Sequence, residues 1–239
     1  MKRAIVTGGS GAIGSAIAAQ LAVDGHYVYV HANSGTARAD AVVAQIRSSG
    51  GSAEPIAFDV SDGPATEATL TRLLEAGAVQ ILVNNAGIHD DAVMPGMRRE
   101  QWSRVIDVSL NGFFNVTQPL LMPMIATRWG RIVNISSVSA VVGNRGQTNY
   151  AAAKAGLHGA TRSLSLELAS RGITVNTVAP GVIASPMSDE AFTKDIIDRL
   201  VPMKRAGKPE EVAALVSFLA SDRAAYISGQ LISINGGMI

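Results

Sequence analysis

Short apolar runs recur along the chain, and each is followed by a longer, Ala-rich stretch whose apolar residues return every three or four positions. The runs are Ala4–Val6, Tyr27–Val30, Glu54–Phe58, Ile81–Val83, Arg131–Ile135, Ile173–Val178 and Leu231–Ile234. They are short and apolar on both faces, as strands of a parallel sheet covered on both sides must be. Between the early runs the spacing predicts helices over roughly Ala12–Asp24, Arg38–Ser48 and Pro64–Glu75. In the second, Val42, Val43 and Ile46 make the buried stripe, while Arg38, Asp40, Gln45 and Arg47 stay polar. Two longer helices, about Arg99–Thr127 and Gln147–Ser170, flank the fifth strand. Strand alternating with helix implies right-handed crossovers and one doubly wound α/β domain over residues 1–239, a seven-stranded parallel sheet with helices on both faces. The segment 181–205 breaks the rhythm with prolines, Met187, Met203 and mixed charges, and reads as a lid over a cleft.

Composition narrows the function classes. A chain of 239 residues buries roughly 70% of its unfolded surface and needs no disulfide or metal staple. With 47% hydrophobic residues and only 16% charged, disorder is excluded as the main theme. Twenty basic and nineteen acidic residues leave a formal charge of +1, so no strong field draws nucleic acid or a membrane surface, and neither is an expected partner. The absence of cysteine excludes a thiolate nucleophile and a Cys-based zinc site. His26, His31, His89 and His158 lack zinc-ligand spacing, so no metal is expected. Lys2 and Arg3 precede too few apolar residues for a signal peptide, and no apolar run reaches transmembrane length. The expectation is a soluble, cytoplasmic protein whose low charge fraction suits subunit interfaces.

The segment TGGSGAIG, Thr7 to Gly14, sits between the first strand and the first helix. In that context glycines let the backbone turn sharply and approach a pyrophosphate, which then faces the helix N-terminus. The fold is therefore read as Rossmann-type, with a cofactor-binding half of about 1–130 and a catalytic and substrate half of about 131–239. An acid about twenty residues on marks NAD use in this fold. Here the second strand runs into Asn33 and Ser34, and the next acid is Asp40, inside the following helix. A carboxylate would repel a 2′-phosphate, whereas Asn33 and Ser34 offer it hydrogen bonds, so NADPH/NADP is the expected cofactor. The nearest base, Arg38, is read as a solvated helix residue.

Tyr150 and Lys154 stand four apart in YAAAK, one turn apart on one helix face. A tyrosine with a reference pKa near 10 needs help to act near neutrality. A Lys ammonium about 4 Å away would supply on the order of 4 kcal/mol at an effective dielectric of 20, enough to lower that pKa by about two units. Ser136 and Ser137 end the fifth strand, where neighbouring side chains point to opposite faces, so only one faces the cleft. Ser139 shares the parity of Ser137 if the chain stays extended. A hydroxyl there would hold a substrate carbonyl oxygen beside the Tyr150 hydroxyl.

With these residues in order, the chain resembles the short-chain dehydrogenases/reductases from end to end, bacterial 3-oxoacyl-[acyl-carrier-protein] reductases most and acetoacetyl-CoA reductases close behind. The matching stretches are TGGSGAIG, Asp59-Val60, NNAG at Asn84–Gly87, GRIVNISSV at Gly130–Val138, YAAAK, and PGVIASPM at Pro180–Met187. The resemblance selects Ser137 over Ser136 and makes Ser137, Tyr150 and Lys154 the catalytic residues. It implies that the cofactor is held by Gly8, Ser10, Ile13, Gly14, Asn33, Ser34, Asp59, Val60, Asn85, Ala86, Gly87, Tyr150, Lys154, Pro180, Gly181, Ile183 and Ser185, with Asp59 and Val60 on adenine and Ile183 and Ser185 on the nicotinamide amide. Asn84 is expected to tie neighbouring strands. The resemblance also implies a homotetramer packed through the two long helices and the last strand, and carrier docking by Arg128 and Arg171 near the cleft.

Two positions depart from the family pattern. Ala12 stands where Gly is usual, with Gly11 where Arg or Lys often meets the 2′-phosphate. Ser109 stands where an Asn usually completes a proton relay to the lysine, and Asn111, some 200° further round a helix, is no simple substitute.

His89, Asp90 and Asp91 follow NNAG near the substrate mouth and are read first as structural. Trp102, Trp129, Phe113 and Phe114 are read as packing residues. The leading activity is NADPH-dependent reduction of a 3-oxoacyl thioester on acyl carrier protein, in fatty acid synthesis or a specialised polyene or polyketide-type pathway. The alternatives are an acetoacetyl-CoA reductase, an alcohol, sugar or steroid dehydrogenase, and a dinucleotide-sensing scaffold.

Overall fold

The computed structural model describes residues 1–185 and 193–239. Seven parallel strands form one sheet: β1 (Arg3–Val6), β2 (Tyr27–Ala32), β3 (Ser52–Ala57), β4 (Ile81–Asn84), β5 (Gly130–Ile135), β6 (Ile173–Pro180) and β7 (Leu231–Ile234). Their order is β3-β2-β1-β4-β5-β6-β7. β1 pairs with both β2 and β4, so the winding reverses there and opens a crevice at the carboxyl ends of the strands.

Alternate strand residues feed opposite cores. Ala4 and Val6 join the core beneath α1 (Ala12–Val23), α2 (Ala37–Ser48) and, further along the chain, the helix Pro209–Ala220. Ile5 joins the other core with Leu70 of α3 (Gly63–Leu74) and with Val116, Leu120 and Met124. In α2, Val43 and Ile46 are buried as the stripe predicts, with Ala39 completing it and Val42 partly buried.

The predicted helix Arg99–Thr127 is interrupted. It comprises α4 (Arg99–Ile106), a π turn over Asp107–Asn111 and α5 (Gly112–Thr127). One extra residue in the turn leaves the apolar spacing nearly continuous, which is why the pattern reads straight through it. Gly112 packs there against Val60, whose Cγ2 would lie 2.9 Å from an added Cβ.

After β5 the chain does not stay extended. It coils into the short α6 (Ser139–Val142), so Ser139 does not share the direction of Ser137 through strand parity. Then come α7 (Thr148–Leu168), α8 (Lys194–Leu200) and α9 (Pro209–Ala220). β3 lies two residues earlier at its start than the apolar run suggests, because its register with β2 runs from Tyr27↔Ser52 to Ala32↔Ala57. Of the predicted lid, Met187 falls outside the described residues and α8 lies within it. Among the described residues no helix is long and apolar enough to cross a membrane.

Candidate active site

The crevice begins at the turn after β1. The Thr7 hydroxyl accepts from the backbone N–H groups of Asn85 and Ala86 at 2.9 Å each and donates to the Val83 carbonyl. The Asn85 amide donates to the carbonyls of Thr7 and Gly8, at 2.9 and 3.1 Å. Gly8 has φ +61°, a conformation that favours glycine, and Gly14 approaches so closely that a Cβ would sit 2.2 Å from the Gly8 carbonyl oxygen. Gly11 caps α1 with no side-chain hydrogen bond, so the first-turn N–H groups stay available to an anion. Ser10 is half-buried and Ile13 packs on the core. This is a cradle that a pyrophosphate fits and that added side chains would fill.

Around it stand the other residues singled out in the sequence. Asn33 and Ser34 are exposed beyond the end of β2. The exposed Asp59 accepts from the Ser61 backbone N–H and hydroxyl at 2.8 and 2.7 Å. Val60 turns its side chain into the core, and the Asn115 amide donates to its carbonyl, which leaves its backbone N–H as the group facing outward. The Pro180 carbonyl accepts from Val138, and the Gly181 N–H donates to Ile234. Ile183 bridges to Gly207, with Ser185 just beyond. Asn84 donates to Thr117 and Asn134, which makes it the strand tie expected of it.

Ser137, Tyr150 and Lys154 converge at the end of β5. The Ser137 hydroxyl faces the Tyr150 phenol, close enough to pull its pKa down, and accepts from the Ser139 N–H at 3.2 Å. Ser136 turns the other way, donating to the Lys154 carbonyl and meeting His158 Nε2 at 2.7 Å. Lys154 Nζ donates to the Ile135 carbonyl at 2.9 Å and lies 5.9 Å from the Tyr150 ring centroid. Gly87 makes room for it, since an added Cβ would meet Nζ at 2.9 Å and the Ser109 hydroxyl at 3.6 Å.

The electrostatics overturn one expectation. The phenol of Tyr150 titrates above its ordinary value: burial raises it first, the facing Ser137 hydroxyl opposes this, and Asp91 adds to the rise. The ammonium of Lys154 does not reverse that balance. It is wholly buried, and burial lowers its own pKa to about 8.

A profile described as Enoyl-(Acyl carrier protein) reductase matches residues 8–239. A 3-oxoacyl-[acyl-carrier-protein] reductase of Aggregatibacter actinomycetemcomitans is 46% identical over 98% of this chain and 98% of its own. One from Staphylococcus aureus strain Mu50 is 44% identical over 99% and 98%, and one from Synechocystis sp. 44% over 99% and 96%. The chain belongs to the short-chain dehydrogenase/reductase family. Membership brings a nicotinamide dinucleotide as cofactor.

In this short-chain dehydrogenase/reductase, sequence reasoning passed over several residues that build the site. Asn149, fully buried, donates to the carbonyls of Asp90 and Gln101 at 3.0 Å each and accepts from the Tyr150 N–H at 2.8 Å. Gln101 also donates to Asp90, and Gln147 to Asp91, which ties the loop after β4 to the helix bearing Tyr150. His89 stands edge-on to the Tyr150 ring, 6.4 Å between centroids. Of the residues missed, only Asn149, beside Tyr150 at the helix start, carries a signal in its position, while Asp90 and Asp91 take the structural role first expected of them. Ser109 lies in the π turn, with a buried hydroxyl that has no hydrogen-bonding partner among the described residues, while Asn111 is exposed and bonds Asp107.

Arg128 and Arg171 are both exposed, and neither borders this chain's own cleft. They lie where β5 and β6 begin, the end of the sheet away from Ser137. α7 has 21 residues, with Tyr150 in its first turn and Arg171 beyond its end, so about 30 Å separates the two sites. The expectation of a basic rim at the cleft therefore fails within one subunit, because a helix that points Tyr150 at one end of the sheet carries Arg171 to the other.

Proposed function

We propose that this short-chain dehydrogenase/reductase is a cytoplasmic, NADPH-dependent reductase that converts a 3-oxoacyl thioester on acyl carrier protein to the 3-hydroxyacyl thioester in fatty acid synthesis. The observation that carries the chemistry is the convergence of Ser137 and Tyr150 beside the buried Lys154, whose ammonium is anchored on the Ile135 carbonyl at the end of β5. The substrate class comes from the relatives, which are named 3-oxoacyl-[acyl-carrier-protein] reductases.

A nicotinamide held beside these residues would supply the hydride for this reaction. Ser137 holds the substrate carbonyl oxygen, and the Tyr150 hydroxyl donates the proton to it. A phenol held above its ordinary pKa is protonated at neutral pH, which suits a proton donor in the direction of reduction. Lys154, anchored on the Ile135 carbonyl, supports the charge that develops on the phenol oxygen as the proton leaves. The Ser109 hydroxyl and Lys154 Nζ flank the same space above Gly87, a polar place for a water that returns the proton to the phenol.

Asn33 and Ser34, exposed and without a carboxylate of their own, favour the 2′-phosphate of NADPH. Phe114 and Met122 on α5 and Leu166 on α7 are large apolar side chains left 62%, 72% and 83% exposed. They suit the packing of copies into a homotetramer through the long helices. Such packing also gives Arg128 and Arg171 a role, because a carrier seated on them would serve the cleft of a neighbouring copy.

Their distance from their own cleft equally favours a second reading, an acetoacetyl-CoA reductase that needs no carrier. Parallel kinetics decide between the two. With acetoacetyl-carrier-protein as substrate, reversing Arg128 and Arg171 to Glu raises KM several-fold, and high salt mimics the change. With acetoacetyl-CoA the same variant behaves as the wild type. Loss on neither substrate favours the CoA reading. In both assays kcat/KM favours NADPH over NADH by about tenfold, or about 1.4 kcal/mol; equal use of the two cofactors would refute the assignment drawn from Asn33.

A further inference from the structure

His31 is the next-to-last residue of β2, almost fully buried, and none of the chemistry above uses it. Its ring makes two hydrogen bonds that leave no choice of tautomer. Nδ1 accepts from the backbone N–H of Gly8 at 3.0 Å. Nε2 lies 2.8 Å from the Phe58 carbonyl, which only accepts, so the ring proton is on Nε2. The ring also packs on Phe58, with centroids 4.2 Å apart. Its backbone is equally close to the turn, since a Cβ on Gly9 would come within 3.2 Å of the His31 nitrogen.

The two partners of this ring are not arbitrary. Gly8 is the first glycine of the turn, the residue whose φ of +61° sets the direction of the peptides that follow. Phe58 immediately precedes Asp59 and Val60 at the end of β3. We infer that His31 is a positioning residue for the dinucleotide: its neutral imidazole pins the pyrophosphate turn to the segment on the adenosine side, and so sets the spacing between the two halves of the cradle.

A solvated or merely packed histidine would not need both nitrogens satisfied by these two loops. An imidazolium in this place would set an N–H against the Gly8 N–H and leave a buried charge. Burial accordingly lowers the pKa of His31 to about 4, with the Phe58 carbonyl and Asp59 opposing the fall. The bridge is therefore intact across the neutral range.

The inference rests on dinucleotide binding alone, not on the identity of the thioester, so its test uses cofactor binding by the full-length protein without substrate. Asn places an acceptor near the position of Nδ1, Gln a donor near that of Nε2, and Leu offers neither. Titration of NADPH, followed by its fluorescence, should show His31→Leu weakening binding at least tenfold, with NADH weakened in the same proportion. His31→Asn should recover most of the affinity through Gly8, and His31→Gln less of it. In steady state the loss should fall on KM for the cofactor more than on kcat.

A Leu variant that binds NADPH within twofold of wild type, whatever its melting temperature, overturns the inference. If the Leu variant does not fold, the Asn and Gln variants decide: Asn above Gln supports the bridge, and equal, wild-type affinities overturn it. A wild type that binds neither dinucleotide would instead overturn the cofactor assignment itself.

Discussion

The two ends of the sheet handle polar side chains in opposite ways. At the carboxyl end they are held in place but kept available: among the described residues Lys154 has one anchoring carbonyl, the Ser109 hydroxyl has no partner, and the first turn of α1 has no side-chain cap. At the amino end the charged and aromatic groups satisfy one another, although the buried Thr174 hydroxyl at the start of β6 has no partner among the described residues. The Arg131 guanidinium is buried and donates to the carbonyls of Gly130, Gly172 and Ser221, and it pairs with Asp222 at 3.4 Å. Trp129 lies between Lys2 and Arg131, whose cationic groups sit 4.1 and 4.2 Å from its ring, and its indole donates to Asp222 at 2.8 Å. One strand, β5, links the two: it begins beside Trp129 and ends at Ser136 and Ser137. The difference teaches that charged groups are paired with one another at the end no ligand visits, and keep spare capacity at the end where a ligand can take it up.

The sharpest way to test that division is at Tyr150. Tyr150→Phe keeps the ring and its packing against His89 but removes the proposed proton donor. Turnover should fall by at least about two orders of magnitude, the usual reach of general acid catalysis, while NADPH affinity and melting temperature change little. Activity above about a tenth of wild type would overturn the role assigned to the phenol.

A smaller effect is expected at Gly87, where an added Cβ would stand 2.9 Å from Lys154 Nζ. Gly87→Ala pushes the ammonium off the Ile135 carbonyl, which accepts from its charged form. Losing that bond disfavours the charged form, so the pKa of Lys154 moves further below about 8. If the charged lysine is the active form, the basic limb of kcat/KM for NADPH, which reports the free enzyme, shifts to lower pH. Turnover at pH 7 should drop by about tenfold. An unshifted limb would mean that Lys154 does not act through its charge.

How much of this was legible in the sequence differs between the two ends as well. Strands flanked by glycine turns and YAAAK announce themselves, because period, spacing and side-chain chemistry all point the same way. The π turn at Asp107–Asn111 was hidden, since one inserted residue hardly disturbs an apolar stripe. The direction of the Tyr150 shift was misjudged for another reason: spacing on a helix shows that Lys154 is near, but not that burial outweighs its charge. His31 reads in the sequence as one apolar-strand histidine among four, and only the pairing of β2 with β3 and with the turn after β1 reveals its two partners. Arg128 and Arg171 show the limit most plainly. Their residue types suit an acidic carrier, but which end of the sheet they occupy depends on the direction of α7.

The gentlest test lies at the amino end. Trp129→Leu keeps an apolar side chain of moderate size but removes the indole hydrogen bond to Asp222 and the aromatic face shared by Lys2 and Arg131. Arg131 then keeps its carbonyl partners but loses the ring that covers its buried charge, which already titrates below the ordinary arginine value because burial outweighs the attraction of Asp222. The expected cost is about 2 kcal/mol, combining lost packing with cation–π contacts. For a chain of this length that lowers Tm by about 4–8 °C. Lys2 is the more exposed of the two cations, so a double-mutant cycle with Lys2→Met should return a coupling of no more than about 1 kcal/mol. At 25 °C, kcat/KM should stay within about twofold of wild type, because no hydrogen bond of the cluster reaches Ser137 or Tyr150. A fall in turnover matching that of Tyr150→Phe would break the comparison, since it would show that β5 transmits disorder from its first residue to its last.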